Sequence, residues 1–234
     1  MTHKRTVVWV VCIVLLGCAG AAMLWSRYAP LLTDGPRLPV DLFRSAYPLP
    51  KPLQPFTLVD QDGQPFTLDH LRGRWTILFF GYTHCPDLCP TAMAVLGQLF
   101  GRLKDEAPQD LVNSQVAFVT VDPTRDTPAV VKPYVAYFNP GFKGLTGSVV
   151  QIDAFARQIG AYYFASPAPP PDASPSSSAN QIGHTSSFFL IDPLGHLLAV
   201  FTEHNNADRV LEEYSKIRQY VRTHALYAEP EHNR

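Results

Sequence analysis

Residues 76–90, which read TILFFGYTHCPDLCP, decide the fold of this chain. The apolar run at 76–80 predicts a buried strand, and the apolar spacing at 91–100 predicts a helix packed against a sheet. Two cysteines, Cys85 and Cys89, lie in the turn between them. Because the proline that follows Cys85 is well accepted in a first helical turn, we expect Cys85 close to the helix N-cap and Cys89 one turn later on the same face.

This placement gives the two cysteines a chemical role. The N-terminus of a helix carries partial positive charge and favours the thiolate, which both attacks disulfides and binds metals. At a separation of four residues the Cα atoms are about 6 Å apart, within the range that a disulfide tolerates. The pair can therefore form a disulfide or hold a soft metal ion. A purely structural disulfide is the simpler alternative, yet so short a loop would contribute only about 2 kcal/mol.

Length, charge and cysteine content limit the classes of protein to which this chain can belong. The chain has 234 residues, of which 46% are hydrophobic and 17% charged, enough for one ordinary globular domain with extensions. A net charge of −1 gives no indication of a nucleic-acid surface. Of the four cysteines, Cys12 and Cys18 lie in an N-terminal apolar segment. One pair remains, which excludes a disulfide-framework fold and a four-cysteine zinc site within one chain.

The N-terminal segment predicts export of the domain. Residues 7–25 carry no charge and follow two basic residues, and as a helix they would span about 28 Å, close to a bilayer core. Residues 19–21 offer a signal-peptidase site, and Cys18 ends a sequence that resembles a lipoprotein box. We favour an uncleaved anchor, with a cytoplasmic tail and a transmembrane helix in residues 1–27, over lipid anchoring or cleavage.

The rest of the chain divides by composition. Residues 28–54 are rich in proline and predict an extended tether. Residues 55–225 form the predicted globular domain, and residues 226–234 a polar C-terminal tail. Within the domain, residues 166–180 hold five prolines and five serines and predict a flexible loop.

Strand and helix patterns alternate along the domain. The predicted elements are, in order, a hairpin at 56–68, the strand at 76–80, the cysteine helix ending before Pro108, a strand at 115–121, a helix opened by Thr127 and Pro128, a helix at 149–164, a hairpin at 185–201 and a helix at 208–225. Pro133 interrupts the pattern of the helix opened by Thr127 and Pro128, so that helix either is kinked there or begins only at Lys132. This order predicts an α/β domain whose central mixed sheet has helices on both faces. A cysteine pair at the strand-to-helix turn makes it thioredoxin-like.

A soft ion held by two thiolates needs a third donor. His184 follows the Pro/Ser loop and precedes an apolar strand that should pair in the central sheet. Since loop-to-strand junctions at one end of a sheet converge, His184 can face the cysteines, although a lone histidine there is more often a turn residue. His84 lies beside Cys85, but at a strand end we expect it to point away from its neighbour.

Three segments closely resemble the Sco/SenC family. They are FGYTHCPDLCP at 80–90, VDPTRDTP at 121–128 and GHT at 183–185, and the resemblance extends over roughly Pro55 to His224. Proteins of that family are membrane-tethered copper proteins of thioredoxin-like fold that serve assembly of the CuA centre of cytochrome c oxidase. The Pro/Ser loop and Pro133 depart from the family pattern without touching the matched residues.

The resemblance implies a copper site. By it, Cys85, Cys89 and His184 match the copper ligands, and Asp122 and Asp126 match an acidic pair near the site. Thiolates select Cu(I), whereas imidazole accepts either Cu(I) or Cu(II). The two aspartates have an equally good alternative as strand-end turn and helix-cap residues. The implied partners are a copper donor, the copper-containing oxidase subunit and the membrane, with the domain on the periplasmic side of the inner membrane.

Three functions compete on this sequence. A copper metallochaperone uses both cysteines and His184, whereas a thiol–disulfide oxidoreductase that reduces the copper-site cysteines of an oxidase subunit needs the dithiol alone. The C-x-x-x-C spacing and the lack of a proline before Phe188 weigh against a general reductase. A thiol peroxidase, in which Cys89 resolves an oxidised Cys85, ranks third.

Overall fold

The computed structural model describes residues 45–165, 182–184, 187–202 and 205–223. The chain divides into two units, 1–37 and 38–234, and every described residue belongs to the second. In the described part no helix is long and apolar enough to cross a membrane. The predicted anchor at 7–25 and the predicted loop at 166–180 lie outside the described residues.

The strands and helices follow the predicted alternation. The strands are β1 (Ala46–Pro52), β2 (Thr57–Asp60), β3 (Pro65–Thr67), β4 (Trp75–Gly81), β5 (Ser114–Thr120), β6 (Lys143–Thr146), β7 (Tyr163–Ala165), β8 (Ile182–His184), β9 (Phe188–Ile191) and β10 (His196–Phe201). The α-helices are α1 (Leu88–Glu106), α2 (Pro108–Leu111), α3 (Pro128–Phe138), α4 (Val149–Ile159) and α5 (Ala207–Thr223), and a 3-10 turn covers Leu68–His70.

Eight strands form one mixed sheet, as the sequence predicts. Their order is β1-β10-β9-β4-β5-β6-β2-β3, and β7 and β8 form a separate two-stranded ladder. The β4–β5 and β5–β6 pairs are parallel, and the other pairs of the large sheet are antiparallel. The strand β4, which leads into the cysteines, therefore lies in the middle of the sheet, where every residue from Trp75 to Gly81 is buried.

Aromatic contacts show that helices cover both faces of the sheet. On one face the β5 residue Phe118 packs against Tyr134 of α3, with ring centroids 5.2 Å apart. On the opposite face Phe80 of β4 packs against Phe155 of α4 at 5.9 Å. Successive residues of a strand point to opposite faces, so β4 contributes to both halves of the core.

One strand lies where the sequence predicts only a tether. Residues 46–52 form β1 and pair with β10, with Ala46 opposite Ala199 and Pro52 opposite His196. The prediction that the tether runs to residue 54 is therefore wrong for this segment. An edge strand uses its hydrogen-bonding groups on one side only, so it tolerates the three prolines that make the sequence resemble a linker.

The cysteine helix begins later than predicted. Its N-cap is Asp87 and its first residue is Leu88, so Cys85 lies in the preceding loop and Cys89 in the first turn. The expectation that Cys85 sits near the N-cap was based on Pro86. The sequence also has Pro90, which occupies the first turn in the structure, and the pattern alone cannot decide between two prolines that both suit this position.

Two further helices differ from expectation in detail. Helix α3 begins at Pro128 after the N-cap Thr127 and contains Pro133, so the alternative start at Lys132 is wrong. Helix α4 ends at Ile159 rather than 164, because Gly160 adopts a left-handed conformation with φ of 81°. The residues beyond it form β7.

A glycine brings the end of β4 close to the cysteine helix. A Cβ atom placed on Gly81 would lie 3.0 Å from the Cys89 Sγ and 2.9 Å and 3.1 Å from the rings of Phe118 and Phe79. Ordinary carbon contacts are longer than this, so a larger residue would have to displace the buried sulfur or the two rings. The position of Cys89 thus depends on the absence of a side chain at Gly81.

We expect Gly81→Ala to lower the free energy of unfolding by about 1–3 kcal/mol, because the added methyl overpacks the core. The control is Gly101→Ala, at an exposed helical position with nothing within 4 Å of the new Cβ. That change should raise the free energy of unfolding by about 0.5–1 kcal/mol through helix propensity. Urea denaturation of the reduced, metal-free protein measures both, and equal stabilities of the two variants would contradict the packing argument.

Candidate metal centre

The fold brings the two cysteines together at the carboxyl end of β4. Cys89 is fully buried in the first turn of α1, whereas Cys85 in the loop is partly exposed. The backbone N–H of Cys89 donates a hydrogen bond to the Cys85 Sγ over 3.4 Å. No disulfide joins the two thiols. Two reduced sulfurs therefore lie side by side, one of them reachable from solvent.

The surroundings of Cys85 favour its thiolate. Burial favours the neutral thiol, but hydrogen bonds from the backbone N–H groups of Asp87 and Cys89 and from the side chains of Cys89 and Tyr82 outweigh it. Together they lower the pKa of Cys85. The donors at the start of α1 thus act on Cys85 although that residue is outside the helix.

The surroundings of Cys89 have the opposite effect. Burial raises the pKa of this thiol strongly, and the neighbouring charges of Cys85 and Asp126 raise it further, against a hydrogen bond from the backbone N–H of Tyr82. The pair therefore holds one sulfur prone to ionise and one that keeps its proton until another positive charge, such as a metal ion, replaces it.

Asp126 holds the loop that carries Cys85. Its side chain is fully buried, and its carboxylate accepts hydrogen bonds from the Thr83 N–H at 2.9 Å, the Thr83 hydroxyl at 2.6 Å and the Thr120 hydroxyl at 2.6 Å. The Asp126 carbonyl also accepts a hydrogen bond from the Thr146 hydroxyl at 2.9 Å. The carboxylate thus ties the loop after β4 to the end of β5.

Asp122 is engaged within its own turn. Its carboxylate accepts hydrogen bonds from the Thr124 hydroxyl at 2.8 Å and from the Arg125 Nε. Of the two roles that the sequence left open for the aspartates, these contacts favour the structural one. A carboxylate that is already occupied by donors is a poorer metal ligand than a free one.

His84 joins the Asp126 cluster, a contact that sequence reasoning missed. Its Nδ1 lies 3.0 Å from the Thr83 hydroxyl and 3.6 Å from the Asp126 carboxylate, while more than half of the side chain is exposed. The sequence does not predict the contact between His84 and Asp126, because Asp126 is distant in sequence and is brought to the loop only by the pairing of β4 with β5.

The predicted third ligand is described only by its backbone. His184 is the last residue of β8 and pairs with Tyr163 of β7. The side chain of His184 lies outside the described part of the structure. Among the side chains that are described, no three of His, Cys, Asp and Glu are grouped closely enough to hold a metal ion. Cys85 and Cys89 are thus brought together, while the position of the His184 imidazole remains a prediction.

Two tyrosines complete the surroundings of the sulfurs. The Tyr82 hydroxyl donates to Cys85, as described above. Tyr134 of α3 is the second: burial raises its pKa, and the charges of Cys89, Cys85 and Asp126 raise it further. In the sequence, Tyr134 is recognisable only by its place on the apolar side of α3, one turn after Val131. That pattern indicates a core residue rather than a site residue.

Comparison with known proteins identifies the family. The sequence profile described as SCO1/SenC matches residues 48–221, well over half of the chain. The chain belongs to the SCO1/SenC family. Among curated SCO1/SenC relatives, yeast mitochondrial Protein SCO2 is 34% identical over 177 residues, which is 76% of this chain and 55% of the relative. The chain spans about half to two thirds of the length of the first curated relatives it matches.

Solved SCO1/SenC structures share the fold. Arabidopsis thaliana ScoI with copper bound is 33% identical and superposes with a TM-score of 0.62, covering 71% of this chain and 98% of the other. BsSco, studied for a disulfide switch and described as a member of the Sco family of cytochrome c oxidase assembly proteins, is 25% identical with a TM-score of 0.54, covering 72% and 94%. The prediction of a thioredoxin-like fold agrees with these two structures.

The asymmetry of the two thiols predicts an order of reaction. In the metal-free, reduced protein, iodoacetamide should modify Cys85 first, with a rate that rises with pH around a midpoint lower than that of a free thiol, because the pKa of Cys85 is lowered. Cys89 should stay unmodified while the protein is folded, because burial both hides it and keeps it protonated. Peptide-resolved mass spectrometry separates the two sites. In denaturant the two rates should converge, and equal rates in the folded protein would contradict the asymmetry.

Proposed function

We propose that this chain is a membrane-anchored copper metallochaperone that binds copper through Cys85, Cys89 and His184 and delivers it to the CuA site of cytochrome c oxidase. The observation that carries the proposal is the pair of adjacent reduced thiols at the end of β4. It is supported by the copper-bound structure of a family member at 33% identity. The link to cytochrome c oxidase is supported by the family description of BsSco.

The donor set fits a soft monovalent ion. Two thiolate sulfurs favour Cu(I), and one of them, Cys85, is already prone to lose its proton. Binding through both sulfurs replaces the proton of Cys89, which passes to solvent. Copper binding should therefore strengthen as pH rises, since the proton that leaves Cys89 competes with the metal.

The backbone of His184 is held in the two-stranded ladder of β7 and β8. The ladder of β7 with β8 joins the residues that follow α4 to the residues before β9. This pairing places Ala165 and Ile182, which flank the Pro/Ser segment, opposite each other. The length of that segment therefore need not alter where the backbone of His184 lies.

Copper is cargo in this proposal, so the site must release it as well as bind it. Cys85 is partly exposed and can be approached by a ligand of the receiving protein, while Cys89 binds the ion from the buried side of the site. Asp126 and Asp122 act as structural residues that fix the loops around the cysteines. The anchor at 7–25 would keep the domain at the periplasmic face of the inner membrane, where the oxidase subunit receives its copper.

A second function, thiol–disulfide exchange, is favoured by the same asymmetry. A Cys85 thiolate would attack a disulfide of the oxidase subunit to form a mixed disulfide, releasing one partner thiolate that takes a proton. Cys89, after losing its proton, would displace the second partner sulfur and leave Cys85 and Cys89 oxidised. The partner gains two electrons and the chain loses two. The disulfide switch identified in BsSco supports this alternative.

A competition titration with a chromophoric Cu(I) chelator tests the metallochaperone. We expect Cys85→Ser and Cys89→Ser each to abolish competitive binding and His184→Ala to weaken it at least tenfold, which is about 1.4 kcal/mol. The control is His196→Ala, because His196 pairs with Asp192 just beyond the strand β9 and away from the cysteines. Unchanged affinity in His184→Ala would remove His184 from the site. Reduction of a partner disulfide by metal-free protein, undiminished in that variant, would favour the exchange function.

A further inference from the structure

Exposed apolar side chains occur at the starts of three helices in the described structure. Leu88 is the first residue of α1, Val130 the third of α3, and Val149 and Val150 are the first two of α4. The exposed fractions of these four residues are 54%, 37%, 51% and 75%, in the same order. Single exposed apolar residues are ordinary on a protein surface, whereas a group of them at one place marks an interaction surface. We call these four residues the apolar rim.

The sheet topology places the apolar rim beside the cysteine loop. The three helices follow β4, β5 and β6, which are parallel neighbours in the sheet. The carboxyl ends of these strands therefore lie at one end of the sheet, with neighbouring strands about 4.8 Å apart. Helix α1 lies beside α3 on one face, where a Cβ on Gly97 would be 3.1 Å from the Phe138 carbonyl oxygen, and α4 covers the other face. The apolar rim thus flanks the loop of Cys85 from both faces of the sheet.

The same helix starts lack acidic side chains. An acid in the first turn stabilises a helix, and α2 and α5 each have an aspartate there. The first turns of α1, α3 and α4 have none. In the loops that lead into these helices, Asp122 and Asp126 are buried, Arg125 is paired with Asp122, and Asp87 is exposed. Because the centre of a protein interface is depleted of charge, a partner that covers the apolar rim should present an apolar face of its own.

The chain enters the described domain at the same end of the sheet. The Ser45 carbonyl accepts a hydrogen bond from the Val200 N–H. The next residue, Phe201, lies level with Phe79 of β4 through the intervening strand β9. Everything N-terminal to Ser45, including the apolar segment 7–25 that predicts a membrane anchor, therefore joins the domain at the end that carries the apolar rim. A partner held in the same membrane can meet this end without the tether passing around the domain.

We propose that the apolar rim is the docking surface for the copper-receiving protein, which covers it with an uncharged, apolar face. The proposal rests on the metallochaperone function. For direct transfer, a ligand of the receiving protein must come within bonding distance of the copper beside Cys85, so the surface around that ligand lies against the rim. A bond from Cu(I) to the new ligand forms as the bond to Cys85 breaks. The Cys85 sulfur keeps its electron pair and takes a proton from solvent, and copper stays monovalent.

The test combines Val130→Glu and Val150→Glu in the full chain. Both positions lie in the first turn of a helix, where an acid is favourable, so the variant should fold. The matched control, Val112→Glu with Leu194→Glu, adds the same charge at exposed apolar residues before β5 and after β9, at the opposite end of the sheet. Each Cu(I)-loaded chain, in phosphatidylcholine nanodiscs, is mixed with the reduced, copper-free oxidase subunit. The two proteins are separated by an affinity tag at set times, and the copper in each is measured.

We expect the rim variant to transfer copper about tenfold more slowly than wild type or more, because docking would bury carboxylates that have no partner. The control should transfer at the wild-type rate, and all three chains should bind Cu(I) equally in the chelator competition. The uncharged pair Val130→Gln and Val150→Gln should also slow transfer, which keeps the proposal testable if the glutamate variant does not fold.

The possible outcomes separate this proposal from the function on which it rests. Equal transfer rates in wild type and both rim variants would overturn the docking surface and leave the metallochaperone function standing. If transfer is unchanged but the rim variant loses a cross-linked dimer that wild type forms, a second copy of the chain covers the rim, which also overturns the proposal. If copper-loaded wild type delivers no copper to the subunit, the metallochaperone function fails, and the docking surface with it.

Discussion

A buried carboxylate fixes the loop on which the site depends. Asp126 is fully buried and accepts hydrogen bonds from Thr83 and Thr120, so one side chain links the segment after β4 with the end of β5. A buried charge is stable only where donors surround it, and these donors lie on two different segments. The loop therefore cannot shift without leaving the charge unpaired. This constraint places Cys85 over the first turn of α1, where the backbone N–H groups of that turn reach its sulfur.

The same geometry explains why metal binding and disulfide chemistry compete in one site. The two sulfurs lie at the same end of the sheet but have opposite surroundings, since Cys85 accepts hydrogen bonds from several donors and Cys89 is buried beside Gly81. The exposed thiolate suits attack on a disulfide or first contact with an ion. The buried thiol suits completion of either reaction. Which reaction occurs depends on whether the chain meets copper or an oxidised partner.

The sequence predicts the parts of this structure that rest on local patterns. Apolar runs locate β4, β5 and β9, and the cysteine spacing locates the site. The sequence does not predict β1, because prolines on an edge strand resemble those of a linker. It also does not predict the hydrogen bonds between Asp126 and Thr83, because the two residues come together only when β4 and β5 pair. Tyr134 has the spacing of a core residue, and its ring does pack against the core residue Phe118. The ligand role of His184 comes from the family resemblance rather than from spacing, which by itself favours a turn residue.

The central claim is that two sulfurs at the start of α1 and one distant imidazole bind a single copper ion. X-ray absorption of the Cu(I)-loaded chain, prepared without oxygen, counts the sulfur and nitrogen neighbours of the metal directly. We expect two sulfur neighbours and one nitrogen neighbour, with the nitrogen lost in His184→Ala. A copper ion with fewer than two sulfur neighbours, or with neighbours unchanged by removal of His184, would contradict the claim.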